Sequence, residues 1–269
     1  MKICCCALLI LIAPALGAIK PPVESGNASN DRVYGGYLIP LNSAQKQGFT
    51  SRLQYIQDGQ IVTCSGSLVA QSWILSLASC LNHRDIGVRI TGVKGELYES
   101  TIIQTILHPS YAATSTANNI GLGKVQQPFP SDGNFFPVAL GQANWGKDAF
   151  LGKSLTVCGY RNPYTTLNRP TDEPTCSVFI PRSDKQCTDA GLAVRSNEVC
   201  VASTDVTKTS VCEQDFGAGL ISYDTNTPPK FYIYAMATHG LPPPNDCARG
   251  PAAFLLLQGF IDWINENAQ

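Results

Sequence analysis

The chain has 269 residues and a formal net charge of −1, and 14% of its residues are charged, against roughly 25% in an average soluble domain. That balance excludes the basic, phosphate-gripping surface of a nucleic-acid binder. An apolar content of 44% excludes the charge-rich, apolar-poor composition of disordered chains.

In chain order, Lys2 precedes an apolar run from Ile3 to Ala13 that is too short to span a bilayer. The small-x-small pattern Ala15-Leu16-Gly17 follows it, so residues 1–17 read as a secretory signal peptide. Residues 18–32 read as a short polar leader, and they carry the single glycosylation acceptor, Asn27-Ala28-Ser29. No later apolar run has spanning length. Of the eleven cysteines, Cys4, Cys5 and Cys6 leave with the signal peptide. The eight that remain are Cys64, Cys80, Cys158, Cys176, Cys187, Cys200, Cys212 and Cys247. An even number in an oxidising compartment predicts four disulfides. No C-x-x-C pair exists, and His83, His108 and His239 are scattered, so neither a metal nor a cofactor is expected.

Beyond Arg32, short apolar stretches recur with turn residues between them. They are 67–69, 73–77, 88–90, 102–107, 155–157 and 231–235. Several alternate with period two or are β-branched and aromatic, as half-buried strands are. Glycine and proline separate them. Many short strands at this spacing predict barrels or a sandwich. A proline-bearing stretch near Gln127 to Pro137 reads as the linker between two halves. One helix is predicted at the carboxy end, over 259–268, where Phe260, Ile261, Trp263 and Ile264 fall at helical spacing. These patterns predict a secreted, disulfide-tied, mostly β protein and imply no activity.

Five stretches carry a resemblance. Arg32-Val33-Tyr34-Gly35-Gly36 looks like an activation cleavage site. Cys64-Ser65-Gly66-Ser67-Leu68-Val69, followed by 73–80, resembles C-G-G-S-L-I … W-V-L-T-A-A-H-C. Leu107-His108-Pro109-Ser110-Tyr111 resembles an H-P-x-Y turn, and Asn118-Asn119-Ile120-Gly121-Leu122 resembles N-D-I-A-L. The stretch from Cys212 to Leu220 resembles C-x-G-D-S-G-G-P-L. In this order, and covering Val33 to Gln269, they resemble the trypsin/chymotrypsin-like serine protease family. The resemblance implies an all-β fold of two six-stranded antiparallel barrels, roughly 33–140 and 141–258, with a carboxy-terminal helix. It also implies the disulfides Cys64–Cys80, Cys187–Cys200 and Cys212–Cys247. That leaves Cys158 with Cys176, a pair outside the usual family set.

The family works through a Ser-His-Asp triad. Carried over position by position, the triad sites are Ser79 for His, Asn119 for Asp and Phe216 for Ser. A phenyl ring has no nucleophilic atom. A serine hydroxyl does not accept a proton near neutral pH. Losing the nucleophile alone costs on the order of 10⁶ in turnover in a comparable triad enzyme. His83 reads as a surface-loop residue and His108 as a structural part of its turn. His239, with Gly240, falls in Ala237-Thr238-His239-Gly240, which resembles the substrate-binding strand. Ser210 stands at the base of the implied specificity pocket. Gln214 replaces a glycine whose backbone conformation is costly for other residues, so a rearranged loop is expected there. Phe216 is expected to fill the cleft beside it. The implied activation switch, Arg32, Val33 and Asp215, is intact. The expectation is a non-catalytic homologue that binds extracellular proteins (proteases, inhibitors or receptors) in an immune cascade or a reproductive fluid. An extracellular scaffold and a hydrolase of unrelated chemistry are the alternatives.

Overall fold

The structure is a computed structural model and describes residues 37–39, 43, 45–114, 117–142, 146–150, 152–160, 173–203, 210–224, 230–241 and 250–269. The expected signal peptide and leader, Asn27, Arg32, Val33 and Cys247 lie outside the described residues.

Fourteen strands are described: β1 Tyr37–Leu38, β2 Thr50–Gln57, β3 Gln60–Ala70, β4 Trp73–Ser76, β5 Gly87–Thr91, β6 Leu97–Leu107, β7 Gly121–Val125, β8 Ala139–Leu140, β9 Leu155–Gly159, β10 Thr175–Arg182, β11 Glu198–Ser203, β12 Gly219–Asp224, β13 Lys230–His239 and β14 Ala252–Leu256. Strands β2-β3-β4-β7-β6-β5 close one barrel. In the second unit β9 pairs with both β10 and β12, closing a ring β9-β10-β11-β14-β13-β12. The short strands β1 and β8 attach to its rim at β10 and β13. The two barrels are the expected ones, with longer strands. β3 and β6 each run for eleven residues, because pairing continues through polar positions: Thr63 and Ser65 are buried in β3, and Glu99 and Thr101 are exposed in β6.

Each barrel is filled from alternate positions along its strands. Leu53, Leu68, Ile74, Ile90 and Leu122 are fully buried in the first. Val157, Phe179, Val201, Leu220 and Phe254 fill the second. Each such side chain contributes about 1.5–3 kcal/mol relative to exposure. The barrels also share aromatic contact, since Phe49 meets Phe231 edge-on at 5.3 Å between centroids. The linker is irregular, as expected, and is docked by backbone bonds from Phe129 N–H to the Gln71 carbonyl and Val138 N–H to the Leu68 carbonyl.

The carboxy-terminal helix, α3, spans Ile261–Asn267 after a 3₁₀ turn at Gln258–Phe260. Two further short helices escaped the periodicity reading: α1 Ala78–Leu81 and α2 Asp184–Asp189. Both are too short for an amphipathic stripe to show. α2 did carry a local signal, the capping box Ser183…Gln186. Cys64–Cys80, Cys158–Cys176 and Cys187–Cys200 are bonded. Cys212 is also disulfide-bonded. The Cys158–Cys176 bridge joins directly opposed residues of β9 and β10, at the seam that closes the second barrel, and Ile39 packs on it.

One side chain ties the barrels polar to polar. Tyr160, fully buried at the end of β9, donates its hydroxyl to the Thr50 carbonyl (2.8 Å) and accepts from Thr91 N–H (3.3 Å). Burial pushes its pKa up to about 12. Tyr160→Phe is expected to lower stability by about 1–3 kcal/mol, because two buried backbone groups lose a partner. The raised folded pKa also means that the unfolded chain gives up this proton first. Stability is therefore held below pH 10 and falls as pH rises from 10 towards about 12. Guanidinium unfolding of wild type and Tyr160→Phe across that range checks both, and the variant should lack this increment.

Candidate functional site

The helix α1 begins without a side-chain cap from its own N-cap residue, Leu77. Asn119 supplies one from the segment leading into β7, the neighbour of β4 in the barrel. Ser79 N–H donates to Asn119 Oδ1 (2.8 Å), and Asn119 Nδ2 donates to Ser79 Oγ (3.1 Å). Asn119 is buried, while Ser79 stands exposed at the cleft. The pair is uncharged, and neither member takes up a proton near neutral pH.

Facing it is the loop that follows Cys212. Glu213–Asp215 forms a 3₁₀ turn, closed by Asp215 N–H to the Cys212 carbonyl (2.8 Å). The non-glycine residues in the left-handed region are Asp58, Asp85 and Asn118, and Gln214 is not one of them. The turn has taken an ordinary backbone conformation, and the Gln214 carbonyl accepts from Ser65 Oγ (3.3 Å). Asp215 is fully buried, with Oδ2 accepting from Cys212 N–H (3.2 Å). Its Oδ1 lies so close over Gly159 that a Cβ there would collide with it.

Two bonds sew this loop to both barrels. Ser65 N–H donates to the Phe216 carbonyl, and Gly217 N–H donates to the Ala237 carbonyl, each at 2.8 Å. Gly217 has φ +91°, and a Cβ would run into the Ser65 carbonyl oxygen and Ser76 Oγ (2.5 Å), so only glycine fits. The Phe216 ring is half-buried and packs against the cores of both barrels.

The implied specificity pocket is narrow. Ser210 is buried, and its hydroxyl donates to the Gly250 carbonyl (3.1 Å). A Cβ on Gly240 would come within 3.1 Å of the Val211 carbonyl oxygen, so these two walls touch. A Cβ on Gly250 would meet Leu241 Cδ1 at 2.5 Å. Buried Ser210 and the close approach of Gly240 to Val211 bring the described walls near each other. His239 does not line the cleft. Its Nε2 is 2.9 Å from the Ala193 carbonyl, and its Nδ1 is 3.0 Å from Thr238 Oγ. The fully buried Glu198 sits 3.7 Å from Nδ1 and is paired with Arg195 at 3.0 Å.

An open cleft of about 630 Å³ remains. Tyr55, Val62, Ser79, His83, Tyr111 and Phe216 form much of its wall, and no Asp, Glu, Lys or Arg is among its described lining residues. His83 is more than a loop residue. Its ring stacks on Tyr55 (centroids 3.8 Å apart, 13° between planes), and Nε2 lies 3.1 Å from the Ser79 carbonyl. A nitrogen facing a carbonyl carries the proton and donates, so His83 secures α1 and is not aimed at the Ser79 hydroxyl. Burial raises the pKa of Tyr55 and Tyr111. His108 is edge-on to Phe260 and Trp263, where burial lowers its pKa, and it accepts from Ser110 N–H. Sequence reasoning missed Tyr55, Tyr160 and Glu198. Their only signal was a polar-tipped or charged residue at an inward strand position.

The Trypsin family profile matches residues 41–264. Trypsin II-P29 of Gallus gallus is 26% identical over 266 residues, which cover 96% of this chain and 97% of that one. Melanization protease 1 of Drosophila melanogaster is 23% identical over 277 residues, 91% of this chain and 67% of that one. Among solved structures, GrC superposes with a TM-score of 0.69 at 20% identity, covering 87% of this chain and 98% of GrC. Neuropsin, a serine protease expressed in the limbic system of mouse brain, gives 0.65 at 19%, covering 83% and 95%. These two likenesses establish the fold alone.

Because Asn119 caps α1, Asn119→Leu should lower stability by about 1–2 kcal/mol through the orphaned Ser79 N–H. Asn119→Asp keeps the acceptor for that N–H and should lose less. Paired denaturation curves of the two variants read the difference.

Proposed function

The chain belongs to the trypsin family, and from the residue at its nucleophile position we infer that it is a secreted, non-catalytic member that acts by binding extracellular proteins. Phe216 carries this reading, because no neighbouring group can turn a phenyl ring into a nucleophile. Ser79 and Asn119 support it, being neutral groups that hold each other. So does Ser210, whose hydroxyl at the base of the implied specificity pocket is already taken by the Gly250 carbonyl. The apolar run and small-residue pattern in residues 1–17, together with three described disulfides and a bonded Cys212, support export to an oxidising compartment.

The setting is an extracellular protease network. A relative named Melanization protease 1 supports the immune version, and a reproductive fluid is the other. The basic residue Arg32 and the buried Asp215 support a switch that outlived catalysis. Cleavage after Arg32 frees Val33, whose new amino group pairs with Asp215 and reshapes the binding surface.

A serine-directed fluorophosphonate should label neither the wild type nor Phe216→Ser, since no imidazole stands at position 79 to activate the new hydroxyl. Covalent labelling of the wild type at any serine of the cleft sinks the non-catalytic reading. Pull-downs from secreted fluid, with bait either intact or cut after Arg32, test the switch. Partners should favour cut bait, and Asp215→Asn should erase the preference. Equal capture by both baits removes the switch.

A further inference from the structure

The β2–β3 hairpin presents a strand edge that is unpaired among the described residues. Ser65 N–H bonds to the Phe216 carbonyl, on the side of β3 away from β2. Backbone groups alternate in direction along a strand, so Thr63 and Ile61 also turn their N–H and C=O away from β2. β4 joins β3 only from Ser67 onward, and among the described residues none meets the Ile61 edge. Asp58 and Gly59, both at positive φ, make the two-residue turn that fixes this register.

The same segment lacks the devices that usually protect an edge. Residues 54–63 contain no Pro, Lys or Arg, and their only charge is Asp58 in the turn. Ile56 and Ile61 lie directly opposite each other and are 74% and 66% exposed. An exposed isoleucine pair beside an open edge is a strand-pairing surface.

We propose that this edge pairs with the same edge of a second copy of the chain, about a two-fold axis at Ile61. The occupant follows from self-complementarity. Antiparallel pairing of Ile61 with its copy lets each N–H donate to the other's carbonyl. It also aligns Ile56, Ile61 and the partner's Ile61 and Ile56 in one apolar row, covering the exposed side chains of both copies. A net charge of −1 leaves little repulsion between copies. The inference does not depend on the non-catalytic reading.

Sedimentation velocity of the intact protein, over roughly two decades of micromolar concentration, should show a reversible monomer–dimer equilibrium. Ile61→Lys and Ile56→Lys should each weaken it by about tenfold or more. Ile103→Lys, at an isoleucine that is 60% exposed on β6, should leave it unchanged. Under a glutathione redox buffer Ile61→Cys should form a covalent dimer, because hydrogen-bonded antiparallel partners lie about 5.5 Å apart, within disulfide reach. Ile103→Cys should not. A wild type that stays monomeric throughout overturns the proposal. So does a dimer that survives Ile61→Lys while Ile61→Cys stays uncrosslinked. Matching melting curves for all variants keep misfolding out of the comparison.

Discussion

The pair of 2.8 Å bonds around Phe216 and Gly217 is the constraint on which the cleft depends. One reaches Ser65 in the first barrel and the other reaches Ala237 in the second. They fix the gap between the two units at the cleft; the Tyr160 hydroxyl and apolar contact join the barrels elsewhere. The absence of a Cβ at Gly217 lets the loop come this close, and the hydrogen bond from Ser76 Oγ to the Ser65 carbonyl (2.7 Å) holds the receiving strand in place. Asp215, pressed against Gly159, anchors the loop's other end. The chemistry at position 216 can change without disturbing this frame, because the frame is built from backbone.

The same separation of frame and chemistry explains the pair Ser79–Asn119. The Asn119 amide offers both an acceptor and a donor, so it can cap α1 and hold a hydroxyl at once. The result is a cleft whose described lining has no formal charge. A neutral surface with aromatic walls suits recognition of apolar and amide groups.

Much of the fold was legible because turn residues and alternating apolar positions mark the strands directly. The cysteines added more, since Cys64–Cys80 and Cys187–Cys200 are bonded as the order of motifs implied. The degenerate positions Ser79, Asn119 and Phe216 were visible as letters in a recognisable frame. What those residues now do was not visible. The Asn119 cap spans 40 residues of sequence, and the His83–Tyr55 stack joins the bend after α1 to β2. The contact of Gly240 with Val211 is a backbone approach with no side-chain signature. α1 and α2 hold four and six residues, below the length at which helical periodicity can be read.

The position of the Phe216 ring bears on the evolutionary path of this chain. Its ring touches both barrel cores. On the non-catalytic reading proposed above, Phe216→Ser would empty that shared space as well as supply a hydroxyl. A step back towards catalysis would thus lose packing before any benefit could be selected. On that reading the packed ring works as a ratchet: each later adjustment of the two cores to Phe216 makes serine a poorer fit.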